Sequence, residues 1–271
     1  MPRQIKRMGS YAPPKTGERV ILSAVQGWGK TSVGAFLADP AFVMARGETG
    51  YATLRRHALI PECDAVEVES WREALDVIQN LPRVYGTLIL DALGGFERLC
   101  HEHVCQRDYR GVWGDKGFDS YKQGYDVAIS DVMLLLAALD AVAAKGTNVL
   151  ILSHVQTKPF KSPLEAVEYS RIVPACHAKT WQAFNGWADA VLFGTFVTVL
   201  ANAKESQGVM KGVGIGGTNR VIYTEQRDSF DAKNRMNMPP EIQIPNTPAE
   251  ASKMIASALG WTVAQPDEPP V

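Results

Sequence analysis

A glycine-rich turn between an apolar run and a helical pattern is the feature that most constrains the fold. Residues 20–38 read VILSAVQGWGKTSVGAFLA, so a strand-length apolar run leads into AVQGWGKT and then directly into a helix. The turn ends in Gly29-Lys30-Thr31, which matches the end of the phosphate-loop pattern G-x-x-x-x-G-K-[ST]. Glycines in such a turn let backbone N–H groups curl around a phosphate. The predicted nucleotide-binding residues are Ala24, Gln26, Gly27, Trp28, Gly29, Lys30, Thr31 and Ser32.

The loop departs from this pattern at its first position, where Ala24 replaces the glycine. Alanine carries the smallest side chain after glycine, and Gly27 adds a second flexible point. We expect Lys30 to reach the β- and γ-phosphate oxygens and the Thr31 hydroxyl to ligate Mg²⁺. A chance strand–turn–helix is the alternative interpretation, and the missing glycine favours it.

Two carboxylates are candidates for the chemistry around the phosphates. The apolar run 87–91, TLILD, ends in Asp91, which predicts a second anchor for Mg²⁺. Glu48 follows the run AFVMA, in the turn RGETG. Since ligands of open α/β sheets lie outside the carboxyl ends of the strands, we expect Glu48 to orient the attacking water. The alternatives are that Asp91 holds this water and that Glu48 is a solvated turn carboxylate.

Three further residues complete the predicted catalytic set. His154 follows the apolar run 148–153, where it is expected either to sense the γ-phosphate or to cap the strand end by bonding to a carbonyl. Lys233 and Arg235 lie two residues apart after a late strand, so on extended backbone they point the same way. Two cations so placed can stabilise charge on transferring phosphate oxygens, in trans if they reach a neighbouring subunit. A solvated basic turn is the alternative.

Composition excludes several classes of protein. The chain has 271 residues, 46% hydrophobic and 21% charged, with a net charge of −1. These values exclude wholesale disorder, collagen and a general electrostatic attraction to nucleic acid. Four cysteines do not suggest a disulfide framework. Neither a signal peptide nor a membrane-spanning segment is apparent, so we expect no membrane partner and a cytoplasmic location.

Strand and helix patterns alternate through the first half of the chain and strands dominate from residue 190. This order predicts an α/β fold, a mostly parallel twisted sheet flanked by helices, with a β-rich C-terminal part. The expected divisions are an N-terminal extension at 1–17, one core at 18–245, and a C-terminal helix with a proline-rich, disordered tail at 246–271. One of the helices, 70–80, carries a capping box formed by Ser70 and Glu73.

Three stretches rich in glycine, aromatic residues or lysine, 106–126, 155–186 and 202–219, predict long functional loops. From 155 to 220, seven basic residues accompany four acidic ones, with aromatic residues among them. This mixture favours weak, salt-sensitive contact with single-stranded nucleic acid. An ordinary loop face with packed aromatics is the alternative. The predicted DNA-binding residues are Lys158, Lys161, Arg171, Lys179, Lys204, Lys211 and Arg220.

The run CHEHVC at 100–105 collects four possible zinc ligands in six residues. Structural zinc sites combine one close pair of ligands with a second pair elsewhere in the chain. All four lie together here, so we favour a helix following the Asp91 strand over a metal site.

The motifs occur in an order that resembles the RecA-like branch of P-loop ATPases, which includes DnaB-type replicative helicases. More closely, the chain resembles phage and prophage ATP-binding proteins, some of which are RecA-like single-strand annealing or recombination proteins. The resemblance covers about residues 18–240. It is carried by AVQGWGKTS, ARGETG, VEVESWREALDVI, TLILDAL, NVLILSH, WADAVLF and AKNRMNMP.

The resemblance implies roles for particular residues. Glu48 matches the water-activating glutamate and Asp91 the Mg²⁺-associated aspartate, while His154 occupies the place of a polar γ-phosphate sensor. Lys233 and Arg235 match the pair that reaches across a subunit interface. The stretches 155–186 and 202–219 follow the strands whose loops bind DNA in RecA-like rings and filaments.

As a whole, the resemblance implies Mg²⁺-dependent ATP hydrolysis coupled to single-stranded DNA binding. The setting would be phage-type annealing, recombination or replication in a bacterial host. It also implies a homo-oligomeric ring or filament, with a single-strand-binding protein as a further partner. Two other functions stay open: a nucleotide-gated protein-binding module with slow ATPase activity, and a small-molecule kinase, which would need an arginine-rich lid that the sequence does not show.

Overall fold

The computed structural model describes residues 15–161, 168–206 and 209–262. The strands are β1 Arg19–Ala24, β2 Pro40–Ala45, β3 Asp64–Val68, β4 Thr87–Asp91, β5 Asn148–Ser153, β6 Val155–Lys161, β7 Glu168–Pro174, β8 Ala190–Ser206, β9 Val209–Tyr223, β10 Lys233–Asn234 and β11 Glu241–Ile244. The helices are α1 Lys30–Ala35, α2 Gly50–Arg56, α3 Trp71–Gln79, α4 Leu93–Tyr109, α5 Gln123–Ala143, α6 Ala178–Trp187 and α7 Pro248–Leu259. Most of the predicted N-terminal extension and the tail from 263 lie outside the described residues.

One twisted sheet forms the centre, with the strand order β11-β9-β8-β1-β5-β4-β2-β3 and with β10 against β8. The strands from β3 through β1 to the start of β8 run parallel. The strands β9 and β11 continue the sheet in antiparallel fashion. The predicted α/β class, with a mostly parallel sheet and a β-rich C-terminal part, is confirmed.

Both faces of the sheet are covered, which explains why its central strands are almost wholly apolar. Successive residues of β1 enter opposite layers: Ile21 packs in the core beneath α3, α4, α5 and α6, while Leu22 packs in the core beneath α1 and α7. The last helix therefore belongs to the same folded unit as the phosphate-loop strand. Among the described residues, no helix is long and apolar enough to cross a membrane.

Local sequence explains where the helices begin and end. Ser70 caps α3, accepting a hydrogen bond from the Glu73 amide at 3.3 Å. The Glu73 carboxylate turns back to the amide of Glu69, one residue before the position that a capping box would give it. Gly146 follows α5 in the left-handed region at φ 96°, which favours glycine.

The prediction of long loops at 155–186 and 202–219 was wrong. The first stretch contains the β6–β7 hairpin and α6, and most of the second belongs to the long β8–β9 hairpin. Glycine and lysine in these runs suggested irregular backbone, but the cross-strand hydrogen bonds of a hairpin satisfy such a segment without a strong apolar pattern. The stretch 106–126 is also shorter as a loop than predicted, because α4 and α5 enter it from both ends.

Candidate functional site

The phosphate loop connects β1 to α1 at the carboxyl edge of the sheet. Gly27 and Gly29 adopt φ values of 74° and 98°, in the left-handed region where a side chain is strained. Gly29 is the residue from which α1 begins, and its carbonyl accepts the first helical hydrogen bond, from Val33. The chain thus forms the strand–loop–helix that the sequence predicted.

Ala24, the departure from the loop pattern, is fully buried as the last residue of β1, and its backbone is not left-handed. It pairs with Gly194 of β8. A Cβ atom on Gly194 would lie only 2.9 Å from the Cβ of Ala24 and 2.8 Å from Trp28 Cε2. Gly194, on the neighbouring strand, therefore leaves the space that the side chains of Ala24 and Trp28 occupy.

Lys30 is 7% exposed and directed at the backbone of the loop. Its ammonium donates hydrogen bonds to the carbonyls of Ala24 at 2.8 Å and Val25 at 3.4 Å. Burial lowers the pKa of Lys30 to about 8, although the charges of Asp91 and Glu48 oppose that shift. An anionic phosphate beside the ammonium would add to the stabilisation of its charged form.

Thr31 and Asp91 meet at the start of α1 and the end of β4. The Thr31 hydroxyl donates a 2.8 Å hydrogen bond to Asp91 Oδ2, and Asp91 is 4% exposed. Burial raises the pKa of Asp91, the bond from Thr31 lowers it, and the charge of Glu48 raises it further. A hydroxyl and a carboxylate are hard oxygen donors of the kind Mg²⁺ takes beside substrate phosphates, so this pair fits the ion.

Glu48 and His154 lie beside this pair. Glu48 follows β2 and His154 follows β5, and these two strands flank β4 in the sheet. Glu48 Oε2 and His154 Nε2 are 3.7 Å apart. Gly95, at the start of α4, leaves the space that Glu48 occupies, since a Cβ there would lie 3.3 Å from Glu48 Oε1. The structure therefore brings Lys30, Thr31, Glu48, Asp91 and His154 to one edge.

The alternative interpretation of His154, a ring bonded to a carbonyl, is not what the structure shows. His154 Nδ1 is buried without a hydrogen-bond partner in the described part of the chain. It is the carbonyl oxygen of His154 that is bonded, accepting from the amide of Ala175 at 2.8 Å. His154 is thus joined to the base of the β6–β7 hairpin twice, by the chain itself to β6 and by this hydrogen bond to the residue after β7.

Lys233 and Arg235 do not join this group. They lie on and just after β10, which pairs with Ala190 and Val191 at the opposite end of β8. The Lys233 ammonium donates to the carbonyls of Asn185 at 2.6 Å and Ala188 at 2.7 Å, at the end of α6. Arg235 is exposed. The two cations that the sequence predicted to act as a pair therefore differ in their surroundings: the Lys233 ammonium is hydrogen-bonded within its own chain, and Arg235 is exposed.

Six of the seven predicted DNA-binding residues fall into three pairs. Lys158 and Lys161 are exposed on β6. Arg171 pairs with Asp231 at 2.7 Å and Lys179 pairs with Asp126, so carboxylates neutralise both. The strands place Lys204 opposite Lys211, but the side chains of both lie outside the described part.

Arg220 requires a correction, because a DNA-binding role does not fit its surroundings. It is 6% exposed, and its guanidinium donates to the carbonyls of Trp28 at 2.9 Å and of Pro245. In the sequence, Arg220 counts among the basic residues of the stretch 155–220. The apolar residues Val221 and Ile222 that follow it already indicated a buried strand.

The predicted helix at 100–105 is confirmed, since this run lies within α4. No group of three or more metal-ligating side chains occurs among the described residues. His101 instead packs against aromatic rings, with Phe118 at 5.3 Å and Tyr125 at 5.2 Å between centroids.

A family model described as an AAA domain matches residues 16–236. Three solved structures are similar at low identity. The RadB recombinase has 12% identity and a TM-score of 0.46, covering 87% of this chain and 90% of that chain. The flagellar accessory protein FlaH from Methanocaldococcus jannaschii has 9% identity and a TM-score of 0.43, covering 93% and 91%.

The third is a KaiC-like protein from Pyrococcus horikoshii OT3, with 11% identity and a TM-score of 0.41, covering 87% of this chain and 88% of that chain. The search of curated proteins finds no significant match. Assignment to a family therefore rests on the family model alone.

Proposed function

Because the chain belongs to the AAA-domain family, we propose that it binds ATP with Mg²⁺ and hydrolyses it, coupled to single-stranded DNA binding in a homo-oligomer. The observation that carries this proposal is the Thr31–Asp91 pair at 2.8 Å, with Lys30 and Glu48 close enough to influence the Asp91 charge. The phage or prophage setting, a role in annealing, recombination or replication, and a single-strand-binding partner belong to the proposal through the resemblance of the motifs.

Four side chains of the site act on the nucleotide, its Mg²⁺ and the attacking water in this proposal. The loop amides and Lys30 bind the phosphates, and Thr31 and Asp91 hold Mg²⁺, which neutralises charge on the phosphate oxygens when bound. Glu48 accepts a hydrogen bond from the attacking water and orients it. Glu48 is suited to this because it follows β2, next to β4 in the sheet, and so lies beside the Thr31–Asp91 pair and His154.

Arg235 is assigned to a neighbouring subunit's site. It follows Asn234, which pairs with Ala190, four residues before Gly194, and Gly194 lies beside the phosphate loop. At about 3.3 Å per strand residue, this separates the two by about 13 Å along the sheet. An exposed arginine at the opposite edge cannot serve its own loop, so the isolated subunit is expected to be a poor ATPase. Lys233 can join this task only by leaving the end of α6.

The β6–β7 hairpin is assigned to DNA. It presents Lys158 and Lys161, and its aromatic pair Phe160 and Tyr169 has ring centroids 5.4 Å apart. Bases stack on such rings, while lysines contact the phosphate backbone. The bond from Ala175 to the His154 carbonyl joins this hairpin to the residue beside Glu48, which provides a route from nucleotide state to DNA affinity.

The test is ATP hydrolysis with and without a single-stranded oligonucleotide, at low and high protein concentration. We expect DNA to raise the rate and the specific activity to rise with protein concentration. Lys30→Ala and Arg235→Ala should abolish both effects, and Lys158→Ala with Lys161→Ala should abolish only the response to DNA. Lys145→Ala is the matched control, since Lys145 is an exposed lysine that follows the C-terminal end of α5. A hydrolysis rate that does not depend on DNA or on protein concentration, and that is unchanged in Arg235→Ala, would refute the proposal.

One observation favours a second function, a nucleotide-gated protein-binding module without DNA binding. Carboxylates neutralise Arg171 and Lys179, and Arg220 is buried, so the described cations available to DNA are few. The two functions differ in salt dependence. ATP-dependent oligonucleotide binding that weakens steeply with salt supports the first, and its absence with intact nucleotide binding supports the second.

A further inference from the structure

Arg220 is a buried cation beside the phosphate loop. Its Nη1 atom lies 3.0 Å from the position that a Cβ on Gly29 would occupy, and it donates to the carbonyl of Trp28. No carboxylate lies within salt-bridge distance of it in the part of the chain with described side chains. Burying a cation without an anionic partner is costly, so such a group points to an anion that the isolated chain lacks.

Trp28 is the second unusual residue, a fully buried tryptophan within the loop itself. Its indole Nε1 donates to the carbonyl of Thr195 on β8 at 3.2 Å, and the Arg220 guanidinium lies 5.4 Å from its ring. The ring occupies the space left by Gly194. The loop is thus fastened to both strands of the β8–β9 hairpin, to β8 through Thr195 and to β9 through Arg220.

We propose that Trp28 and Arg220 are positioning residues that hold the phosphate loop in its nucleotide-binding form, and that Arg220 supplies positive charge behind the loop for the β-phosphate. This inference rests on the nucleotide-binding half of the proposed function and on neither hydrolysis nor DNA. The proposal also explains why the first loop position can hold Ala24 in place of glycine. A loop fastened from outside depends less on the conformational freedom of a first glycine.

The experiment measures ADP and AMP affinity by calorimetry with Mg²⁺, below the melting temperature of each variant. Arg220→Met keeps the length of the side chain and removes its charge. Because hydrogen bonds to charged groups and the charge itself are lost, we expect ADP affinity to fall about tenfold or more and the preference for ADP over AMP to decrease. Trp28→Phe removes the indole hydrogen bond and part of the buried ring, for an expected loss of about fivefold. Arg227→Met is the control, since Arg227 is a half-exposed arginine just beyond the same strand.

The outcomes separate this inference from the proposed function. Arg220→Met with wild-type ADP affinity and ADP preference, and only a lower melting temperature, would show that the arginine merely supports the hairpin and would overturn the inference. If Arg220→Met does not fold, Arg220→Gln, which also removes the charge, and Trp28→Phe decide, and unchanged ADP affinity in both overturns it. A wild-type chain that does not bind ADP refutes both, whereas ADP binding without DNA-stimulated hydrolysis refutes only the proposed function.

Discussion

The close approach of Gly194 to the phosphate loop gives the sharpest stability prediction. In Gly194→Ala the new methyl group would lie 2.8 Å from Trp28 Cε2, 2.9 Å from Ala24 Cβ and 3.1 Å from Trp28 Cδ2. Trp28 and Ala24 are both fully buried, so neither has free space to move into. Overpacking of this kind costs about 2 kcal/mol, which for a chain of this size lowers the melting temperature by about 5 °C. Since the strain falls on Trp28, ADP affinity should fall as well.

Thermal melting and ADP titration measure the two effects. Gly186→Ala is the matched control, because a Cβ on Gly186 meets nothing within 4 Å and the residue lies in α6. Alanine in a helix is favoured over glycine by about 0.5–1 kcal/mol, so this variant should melt slightly above wild type. Adding Ala24→Gly to Gly194→Ala removes the contact with Ala24 and leaves those with Trp28, and the pair should be non-additive by about 1 kcal/mol. If Gly194→Ala melts like wild type, the crowding argument is wrong.

Three other predictions concern single side chains. Burial lowers the pKa of Lys30 to about 8, and a bound phosphate raises it. ADP affinity should therefore be constant below pH 8 and fall as the pH rises towards 9.5, with proton uptake measurable by calorimetry in two buffers. Binding that does not depend on pH would contradict this prediction. Lys233→Met removes a cation from the carbonyls at the end of α6 and should lower the melting temperature by a few degrees, whereas Arg235→Ala should leave it unchanged and affect only concentration-dependent hydrolysis. Ser70→Ala removes the cap of α3 and should cost about 1 kcal/mol in a denaturant titration, with no change in ADP affinity.

The parallel half of the fold could be predicted because its sequence is locally decisive. Apolar runs of five or six residues predict β1, β4 and β5 at the residues where the structure has them. Buried parallel strands need apolar residues on both faces, and few other elements produce that pattern. The β6–β7 and β8–β9 hairpins lack it, because their pairing partners, not their own composition, determine their structure.

The residues of the candidate site also differ in whether a local sequence pattern could place them. Lys30, Thr31, Asp91, Glu48 and His154 each lie at the carboxyl end of a strand or within seven residues after it. Knowledge of the strands was therefore enough to place them near one another. The surroundings of Lys233 and Arg220 depend on tertiary contacts with α6 and with the phosphate loop. Those contacts join residues far apart in the chain, and no local pattern reports them.

Strand order, which the local patterns do not contain, explains why three separately identified residues share one site. The sheet places β4 between β5 and β2, so Asp91, which ends β4, lies at the carboxyl edge beside His154, which follows β5, and Glu48, which follows β2. In-register pairing of Asp91 with Met44 and Leu152 brings all three strands to the same height. Because side chains alternate along a strand, a one-residue shift of β4 would turn Asp91 away from Thr31 and exchange it with Leu90. The buried alternation of β4 that stabilises the two cores therefore also fixes the direction of the proposed Mg²⁺ ligand.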